Sequence, residues 1–256
     1  MKIGFIGVGK MASAIIKGIK NSPHDIIISG SSLQRSQDIA KELQVAYALS
    51  HQDLIDQADL VILGIKPQLF ETVLSDLHFK QPIMSMAAGI SLARLAELTS
   101  SGLPLLRIMP NMNANILEST TALTANQWVD QELFDLATEL TDSFGKTFPI
   151  SEKDFDTFTA LAGSSPAYIY LFIKSLAKSG VKNGLPKEKA LDIVTQTIIA
   201  SAKHLAESHH SPHDLIDQIC SPGGTTIAGL MDLEKNRFSH SVCSAIDRTI
   251  QRAKEL

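Results

Sequence analysis

Near the start of the chain, two glycines and an alanine stand at the spacing GxGxxA, between an apolar run and a helical stripe. The run reads Gly7-Val8-Gly9-Lys10-Met11-Ala12. Gly7 would permit a tight turn, Gly9 would let the backbone approach a pyrophosphate, and Ala12 would let the helix pack closely on the strand. A glycine-rich turn that binds nothing would show the same letters. The order of strand, turn, helix and second strand favours a dinucleotide site.

The second strand ends without the carboxylate that commonly holds an adenine ribose. It continues as Ser29-Gly30-Ser31-Ser32-Leu33-Gln34-Arg35. Two hydroxyls and a guanidinium suit a 2′-phosphate, which a carboxylate would repel, so this loop favours NADP over NAD. The alternative is that Arg35 is a solvated residue at the start of a helix.

A second candidate anion site lies late in the chain, in the run Ser221-Pro222-Gly223-Gly224-Thr225-Thr226. Two glycines expose backbone N–H groups just before a helix that begins with threonine hydroxyls, an arrangement that suits a carboxylate. The alternative is purely structural, with one threonine as an N-cap and the glycines as a turn.

Length, charge and cysteine content narrow the class of protein. The chain has 256 residues, 23 Lys and Arg against 27 Asp and Glu, a net charge of −4 and a pI of about 6.1. This balance gives no general attraction to nucleic acid or to anionic lipid, and no run of about 20 apolar residues occurs. Cys220 and Cys243 lack zinc-type spacing and fit a reducing compartment. We expect a cytoplasmic protein with neither a nucleic-acid partner nor a membrane partner.

Three histidines near residue 210 could indicate a metal site, in the run His209-His210-Ser211-Pro212-His213. Pro212 interrupts any single helical face, and no acidic or cysteine ligand has suitable spacing. We therefore expect no metal site, and Asp214 and Asp217 are expected to support the next short helix.

The two parts of the chain differ in hydrophobic periodicity. Up to about Pro149, short β-branched runs alternate with helical stretches, and Val61-Ile62-Leu63 is apolar as in a strand covered on both faces. Beyond Ile150 helical patterns take over, one opened by Pro186 and one by a serine cap before Pro166. The sequence predicts an α/β fold, with an N-terminal Rossmann-like parallel-sheet domain at 1–150 and an all-helical domain at 151–256.

Several separated motifs resemble those of the pyrroline-5-carboxylate reductases, which reduce a cyclic imine to L-proline. They are GFIGVGKMASAI from Gly4, ILGIKPQ from Ile62, MAAGI from Met86, RIMPN from Arg107, LAGSSPAY from Leu161 and SPGGTTIAGL from Ser221. The resemblance spans nearly the whole chain. It implies NADPH as cofactor, with NADH as an alternative, 1-pyrroline-5-carboxylate as substrate, and a homodimer through the helical domain that in some members assembles further.

The resemblance also implies roles for residues of the second domain. Thr226 is expected to be the catalytic residue, with its hydroxyl meeting the ring nitrogen. The substrate would be bound by Ser221, Gly224, Thr225 and Thr226, with Ser221 and the backbone of Gly224 and Thr225 around its carboxylate. The run Gly163-Ser164-Ser165-Pro166 would lie near the same pocket, although a serine cap followed by proline explains it structurally.

Cofactor-binding residues are expected at the first turn, in the loop after the second strand, and at the ends of later strands. They are Ile6, Gly7, Val8, Gly9, Lys10, Met11, Ser31, Ser32, Arg35, His51, Gly64, Lys66, Pro67, Ala87 and Ala88. Structural alternatives stay open for some of them. Lys66 could be a solvated strand-end lysine, Ala87 and Ala88 packing residues, and His51 a surface histidine.

Two other functions share some of these features. A β-hydroxyacid or 6-phosphogluconate-type dehydrogenase has the same domain plan, but it needs a lysine soon after the glycines that open the second domain, and none lies between Gly163 and Lys174. A nucleotide-sensing protein without catalysis would bind cofactor tightly and leave the imine unreduced. Because an iminium accepts hydride without a base, the missing lysine favours the imine reductase.

Overall fold

The computed structural model describes residues 1–255. They form two compact units, one of Met1–Gly163 together with residues 253–255, the other of Ser164–Arg252. No helix in residues 1–255 is long and apolar enough to span a membrane.

The first unit is built on an eight-stranded sheet with the order β3-β2-β1-β4-β5-β6-β7-β8. The strands are β1 (Lys2–Ile6), β2 (Asp25–Ser29), β3 (Ala46–Tyr47), β4 (Leu60–Leu63), β5 (Ile83–Ser85), β6 (Leu105–Met109), β7 (Ser119–Ala125) and β8 (Gly145–Pro149). Every neighbouring pair is parallel except β6 with β7. The predicted Rossmann-like parallel sheet is therefore confirmed for β1 to β6, and β7 and β8 run antiparallel to these six strands.

Helices cover both faces of this sheet. They are α1 (Lys10–Ile19), α2 (Leu33–Leu43), α3 (His51–Gln57), α4 (Phe70–Leu74), α5 (Leu92–Leu98), α6 (Gln131–Asp142) and α7 (Phe155–Phe158). Ile62 belongs to the apolar core on one face, while Val61 and Leu63 belong to the core on the other. Burial on both sides explains why this strand lacks a polar alternation.

The second unit consists of helices. They are α8 (Ser165–Lys182), α9 (Lys187–Glu207), α10 (Pro212–Ile219), α11 (Thr225–Lys235) and α12 (Phe238–Lys254), the last of which continues past the unit's final residue. Many of their large apolar side chains are exposed, for example Leu171 at 61% and Ile199 at 56%. The predicted all-helical character of this part of the chain is confirmed.

Proline shapes the starts of two of these helices. Pro186 is the N-cap of α9, next to the predicted first-turn position. The predicted serine cap before Pro166 is wrong, because Ser165 is already the first residue of α8 and Ser164, at the N-cap, makes no side-chain capping bond. A π-helical turn, Thr159–Ser164, runs directly into α8 and replaces a capped start.

The division into compact units falls after Gly163, later than the domain boundary predicted between 150 and 151. The intervening segment is tied to the sheet unit by side-chain contacts. Glu152 Oε1 accepts a hydrogen bond from Arg107 Nη1 at 2.8 Å, and the carbonyl oxygen of Ala162 accepts one from Asn111 Nδ2 at 2.9 Å.

Candidate functional site

The first glycine turn lies at the carboxyl end of β1, between β2 and β4. Gly7 N donates to the carbonyl oxygen of Ser29 at 2.9 Å, and Gly7 has a φ of +82°, which favours glycine. Gly9 is the N-cap of α1 and makes no side-chain capping bond. The sheet adds β2 and β3 on one side of β1 and β4 onward on the other, so the strand order reverses at β1. This turn therefore lies at the sheet's topological switch point, where open α/β sheets bind ligands.

Gly64, at the end of β4, contacts this turn closely. A Cβ on Gly64 would lie 2.3 Å from the carbonyl oxygen of Gly7, and Gly64 N donates to the carbonyl oxygen of Ile6 at 2.8 Å. Lys66 follows as an exposed residue at the start of a 3₁₀ turn, Pro67–Leu69. A side chain at position 64 would therefore push the two loops apart.

A cavity of about 230 Å³ lies beyond the end of β2. It is lined by neutral or small residues, namely Ser29, Gly30, Ser31, Ser32, Leu33, Ser36, Leu49, Ser50 and His51. Ser32 Oγ accepts from Arg35 N at 3.2 Å and so caps α2, and the Arg35 residue is exposed. No carboxylate is among the lining residues.

His51 is partly buried in this lining. Its Nδ1 and the hydroxyl of Ser29 form a hydrogen bond of 2.7 Å, and Ser29 is itself buried. Burial lowers the pKa of His51 from its ordinary value of 6.5. Burial therefore favours the neutral imidazole, and His51 is a constituent of the pocket wall rather than a free surface group.

A larger cavity of about 510 Å³ opens at the carboxyl ends of β4, β5 and β6. Its lining includes Pro67 and Gln68 after β4, the stretch from Ala88 to Ile90 after β5, and Arg107 and Met109 of β6. Ala88 is exposed, whereas Ala87 is 3% exposed and packs in the core. Three neighbouring strands thus bring their ends to one concave site.

Sequence reasoning missed the polar residues that support this cavity. Arg107 is 6% exposed, its Nη1 lies 2.8 Å from Glu152 Oε1, and its guanidinium lies 4.4 Å from the ring centre of Phe155. A charged residue within the apolar strand Leu105–Met109 was the available signal, because buried arginines need a partner.

The candidate carboxylate site begins α11 in the second unit. Gly223 has a φ of +69°, Gly224 is the N-cap without a side-chain capping bond, and Gly224 N donates to the carbonyl oxygen of Ser221 at 3.0 Å. A Cβ on Gly224 would lie 2.4 Å from Ser221 Oγ. The alternative in which a threonine caps this helix is wrong, because Thr225 and Thr226 are its exposed first residues.

The histidine-rich run forms the start of α10. Ser211 and Asp214 form a reciprocal capping box, and hydrogen bonds from Ser211 lower the pKa of Asp214. His213 Nε2 lies 3.9 Å from Asp217 Oδ2 on the exposed helix surface. The predicted helix-supporting role of Asp214 is confirmed, and residues 1–255 hold no cluster of three or more His, Cys, Asp or Glu side chains suited to a metal ion.

The structure thus gathers the predicted cofactor residues at the carboxyl edge of one sheet. The predicted substrate residues Ser221, Gly224, Thr225 and Thr226 lie together at one helix start in the other unit.

Two family models match the chain. The model described as pyrroline-5-carboxylate reductase dimerisation matches residues 152–256, and the one described as NADP oxidoreductase, coenzyme F420-dependent, matches residues 2–89. The helical part of the chain is therefore a dimerisation domain of its family.

Whole-chain relatives carry the same family name. The chain is 37% identical over 259 residues to a pyrroline-5-carboxylate reductase of Aquifex aeolicus, covering 100% of this chain and 97% of that protein. The crystal structure of 1-pyrroline-5-carboxylate reductase from Streptococcus pyogenes matches with a TM-score of 0.94 and 73% identity, over 100% of this chain and 99% of that one. The Plasmodium falciparum pyrroline carboxylate reductase, solved with NADP bound, matches with a TM-score of 0.84 and 31% identity, over 100% and 97%. The chain belongs to the pyrroline-5-carboxylate reductase family.

Proposed function

We propose that the chain reduces 1-pyrroline-5-carboxylate to L-proline with NAD(P)H, the last step of proline biosynthesis. One observation carries the proposal. Helices α1 and α11 each begin at a glycine N-cap without a side-chain capping bond, soon after a glycine of positive φ. The amides of α1 suit a pyrophosphate and those of α11 suit a carboxylate, and a reductase of a cyclic imino acid needs both.

The residues at the sheet edge fit a dinucleotide. Nothing lies within 4 Å of the position that a Cβ would take on Gly9, so the backbone there is open to a ligand. Ile6, Gly7, Val8, Gly9, Lys10 and Met11 would hold the pyrophosphate, and Gly64, Lys66, Pro67, Ala87 and Ala88 would hold the nicotinamide half. Ser31, Ser32, Arg35 and His51 would hold the adenosine half.

The loop after β2 supports NADPH as the preferred cofactor, with NADH as an alternative. Ser31 and Ser32 line the cavity there, which has no carboxylate in its lining, and Arg35 is exposed three residues after Ser32, so these hydroxyls and this guanidinium would bind a 2′-phosphate. A planar guanidinium binds phosphate through paired hydrogen bonds.

Reduction of an imine requires little acid–base catalysis from the protein. When bound, the reduced nicotinamide supplies a hydride to the imine carbon, while the ring nitrogen takes a proton. In our proposal Ser221 and the backbone of Gly224 and Thr225 surround the carboxylate, and the Thr226 hydroxyl holds the ring nitrogen. Holding both ends of a small ring orients its imine carbon, and this orientation is the protein's main contribution to the rate.

We further propose that the protein works as a homodimer through its helical domain, with higher assemblies built from dimers. A cavity of about 520 Å³ lined by residues of α8 and α9 exposes mainly apolar surface, with Tyr170, Ile173, Val181 and Leu191 in its lining beside three lysines, Lys174, Lys178 and Lys187. Large exposed apolar surface of this kind marks an interface. Leu171→Glu is expected to yield monomers by light scattering where the wild-type chain gives dimers.

The functional domains we propose are 1–150 for the cofactor and 151–256 for dimerisation and substrate. We also place the protein in the cytoplasm, where a reducing environment suits the unpaired thiols of Cys220 and Cys243.

A spectrophotometric assay tests the activity. The purified chain should oxidise NADPH when given 1-pyrroline-5-carboxylate, and Thr226→Ala should lower kcat by roughly a hundredfold without changing the Kd for NADPH. Thr72→Ala, at an exposed position on α4, is the matched control. Absence of NADPH oxidation by the wild-type chain would contradict the proposal, and full turnover by the Thr226 variant would remove that residue from the mechanism.

A further inference from the structure

We propose that Glu152 is a positioning residue, whose carboxylate holds the end of the loop formed by residues 86–91 and, through this loop, the nicotinamide half of the cofactor. The inference rests on the proposed function, because it assigns this loop to the nicotinamide.

The carboxylate of Glu152 joins two segments that are distant in sequence. Its Oε1 accepts from the backbone N of Leu92 at 2.8 Å and from Arg107 Nη1 at 2.8 Å. Leu92 is the first residue of α5, immediately after the 86–91 loop. Arg107 lies within β6. One oxygen atom therefore fixes the end of the loop to the neighbouring strand.

Arg107 makes this link rigid. It is 6% exposed, stacks on Phe155, and its buried Nε has no hydrogen-bond partner in the described chain. Within residues 1–255, Glu152 is the acidic partner of this guanidinium. The ion pair of Arg94 with Glu97, by contrast, is exposed on α5. A buried arginine needs its counterion, so Arg107 keeps the Glu152 carboxylate in one place.

The 86–91 loop needs an external support because its middle is open. Ala87 N donates to Ser85 Oγ at 3.3 Å where the loop begins. Gly89, with a φ of +75°, has nothing within 4 Å of the position of a Cβ. Ala88, Gly89 and Ile90 line the 510 Å³ cavity together with Arg107. The bond from Leu92 to Glu152 is thus the tether at the far end of a loop that forms one wall of the cavity.

A proline substitution at residue 92 can remove the hydrogen bond to Glu152 without disturbing the ion pair with Arg107. Leu92→Pro removes the N–H that Glu152 accepts and keeps the ion pair with Arg107. Proline is tolerated at the first residue of a helix, and Ser91, with φ of −75° and ψ of 162°, already has the conformation that a residue before proline requires. Leu92→Ala is the control, because it removes buried side-chain volume and retains the N–H.

Two ligands then report on the two halves of the cofactor site. Leu92→Pro should raise the Kd for NADPH about tenfold over Leu92→Ala, since a hydrogen bond to a carboxylate is lost. The Kd for 2′,5′-ADP, which lacks the nicotinamide half, should be the same in both variants. Equal Kd values for NADPH would overturn the proposal, and so would a loss of affinity for both ligands, which would indicate a general structural role.

Charge removal gives a second test, with Glu152→Gln against Glu97→Gln. The first should weaken NADPH binding without weakening 2′,5′-ADP binding, and the second should change neither. Unchanged NADPH affinity in Glu152→Gln would contradict the proposal. If Glu152→Gln does not fold, the comparison of Leu92→Pro with Leu92→Ala still tests the proposal. These binding measurements use no imine, so they test the role of Glu152 independently of turnover. A chain that binds NADPH but does not reduce the imine would contradict the proposed function without contradicting the role of Glu152.

Discussion

Asn111 Nδ2 donates a hydrogen bond of 2.9 Å to the carbonyl oxygen of Ala162, and both residues are buried. Ala162 lies in the π-helical turn Thr159–Ser164 that leads into α8. In a regular α-helix this carbonyl would accept from the backbone N of residue 166, which is proline and has no N–H. Asn111 therefore supplies the donor that Pro166 lacks, and it bonds the segment just after β6 to the π-helical turn.

Removal of this donor should cost stability. Asn111→Ala removes the donor to the buried carbonyl of Ala162 and also the Oδ1 that accepts from Asn113 N and Thr120 N, and it is expected to lower the free energy of unfolding by about 1–3 kcal/mol. Urea denaturation measures the change. Asn115→Ala is the matched control, because its side chain is exposed and bonds only to the nearby carbonyl of Met112, and it should change stability by less than about 0.5 kcal/mol. Equal effects of the two substitutions would contradict this account.

The two glycines of the first turn should respond differently to alanine. Gly9→Ala meets open space, so its stability should change by at most about 1 kcal/mol, while the Kd for NADPH rises at least about tenfold because the methyl group blocks the approach of the pyrophosphate. Gly7→Ala should lose both stability and binding, since its φ is +82° and its Cβ would lie 2.5 Å from Ile65 Cγ2. Thermal unfolding measures the stability of the two variants, and calorimetric titration measures their affinity for NADPH. If Gly9→Ala binds NADPH as tightly as the wild-type chain, this turn does not contact the cofactor.

Burial of His51 should make stability depend on pH. Because its folded pKa lies below 6.5, the unfolded chain takes up a proton first as the pH falls through about 6.5. The contribution of His51 is therefore fully present above that pH and is lost as the pH falls toward the folded pKa. His51→Asn should flatten this part of the stability curve, measured by denaturation between about pH 5 and pH 7.5. Parallel curves for the two proteins would show that His51 does not titrate in this way.

The proposed preference for NADPH predicts an asymmetric effect at Arg35. Arg35→Ala should raise the KM for NADPH about tenfold and leave the KM for NADH nearly unchanged, because only NADPH carries the 2′-phosphate. Lys41→Ala removes another exposed positive charge from α2 and should alter neither value. Equal losses with both cofactors would place Arg35 outside the phosphate site.

The strands that sequence alone predicts are those that are buried on both faces. Runs such as Val61-Ile62-Leu63 are apolar throughout, so their signal is strong. The sequence of β7, Ser119–Ala125, is rich in threonine, and β3 is only two residues long, so neither gives such a signal. The glycine turn can also be predicted from the sequence, because the residues that form it are adjacent in the chain.

The contacts that support the site are not local and leave little trace in the sequence. Asn111 and Ala162 are 51 residues apart, and Arg107 and Glu152 are 45 apart. The π-helical turn before α8 accepts a hydrogen bond from Asn111, 51 residues earlier in the chain, and the Ser-Pro pattern alone wrongly indicated a capped helix. Arg107 could be singled out as a charge in an apolar strand, but its partner could not.

The outermost strands of the sheet bear on how copies of this chain associate. β3 offers only two residues, and β8 carries Lys146 and ends at Pro149. Short edges, lysine and proline discourage the addition of a foreign strand. Both edges thus disfavour backbone pairing between copies, which tends toward open-ended fibres. This disfavour agrees with the helix-to-helix dimer that we propose, which can close into an assembly of finite size.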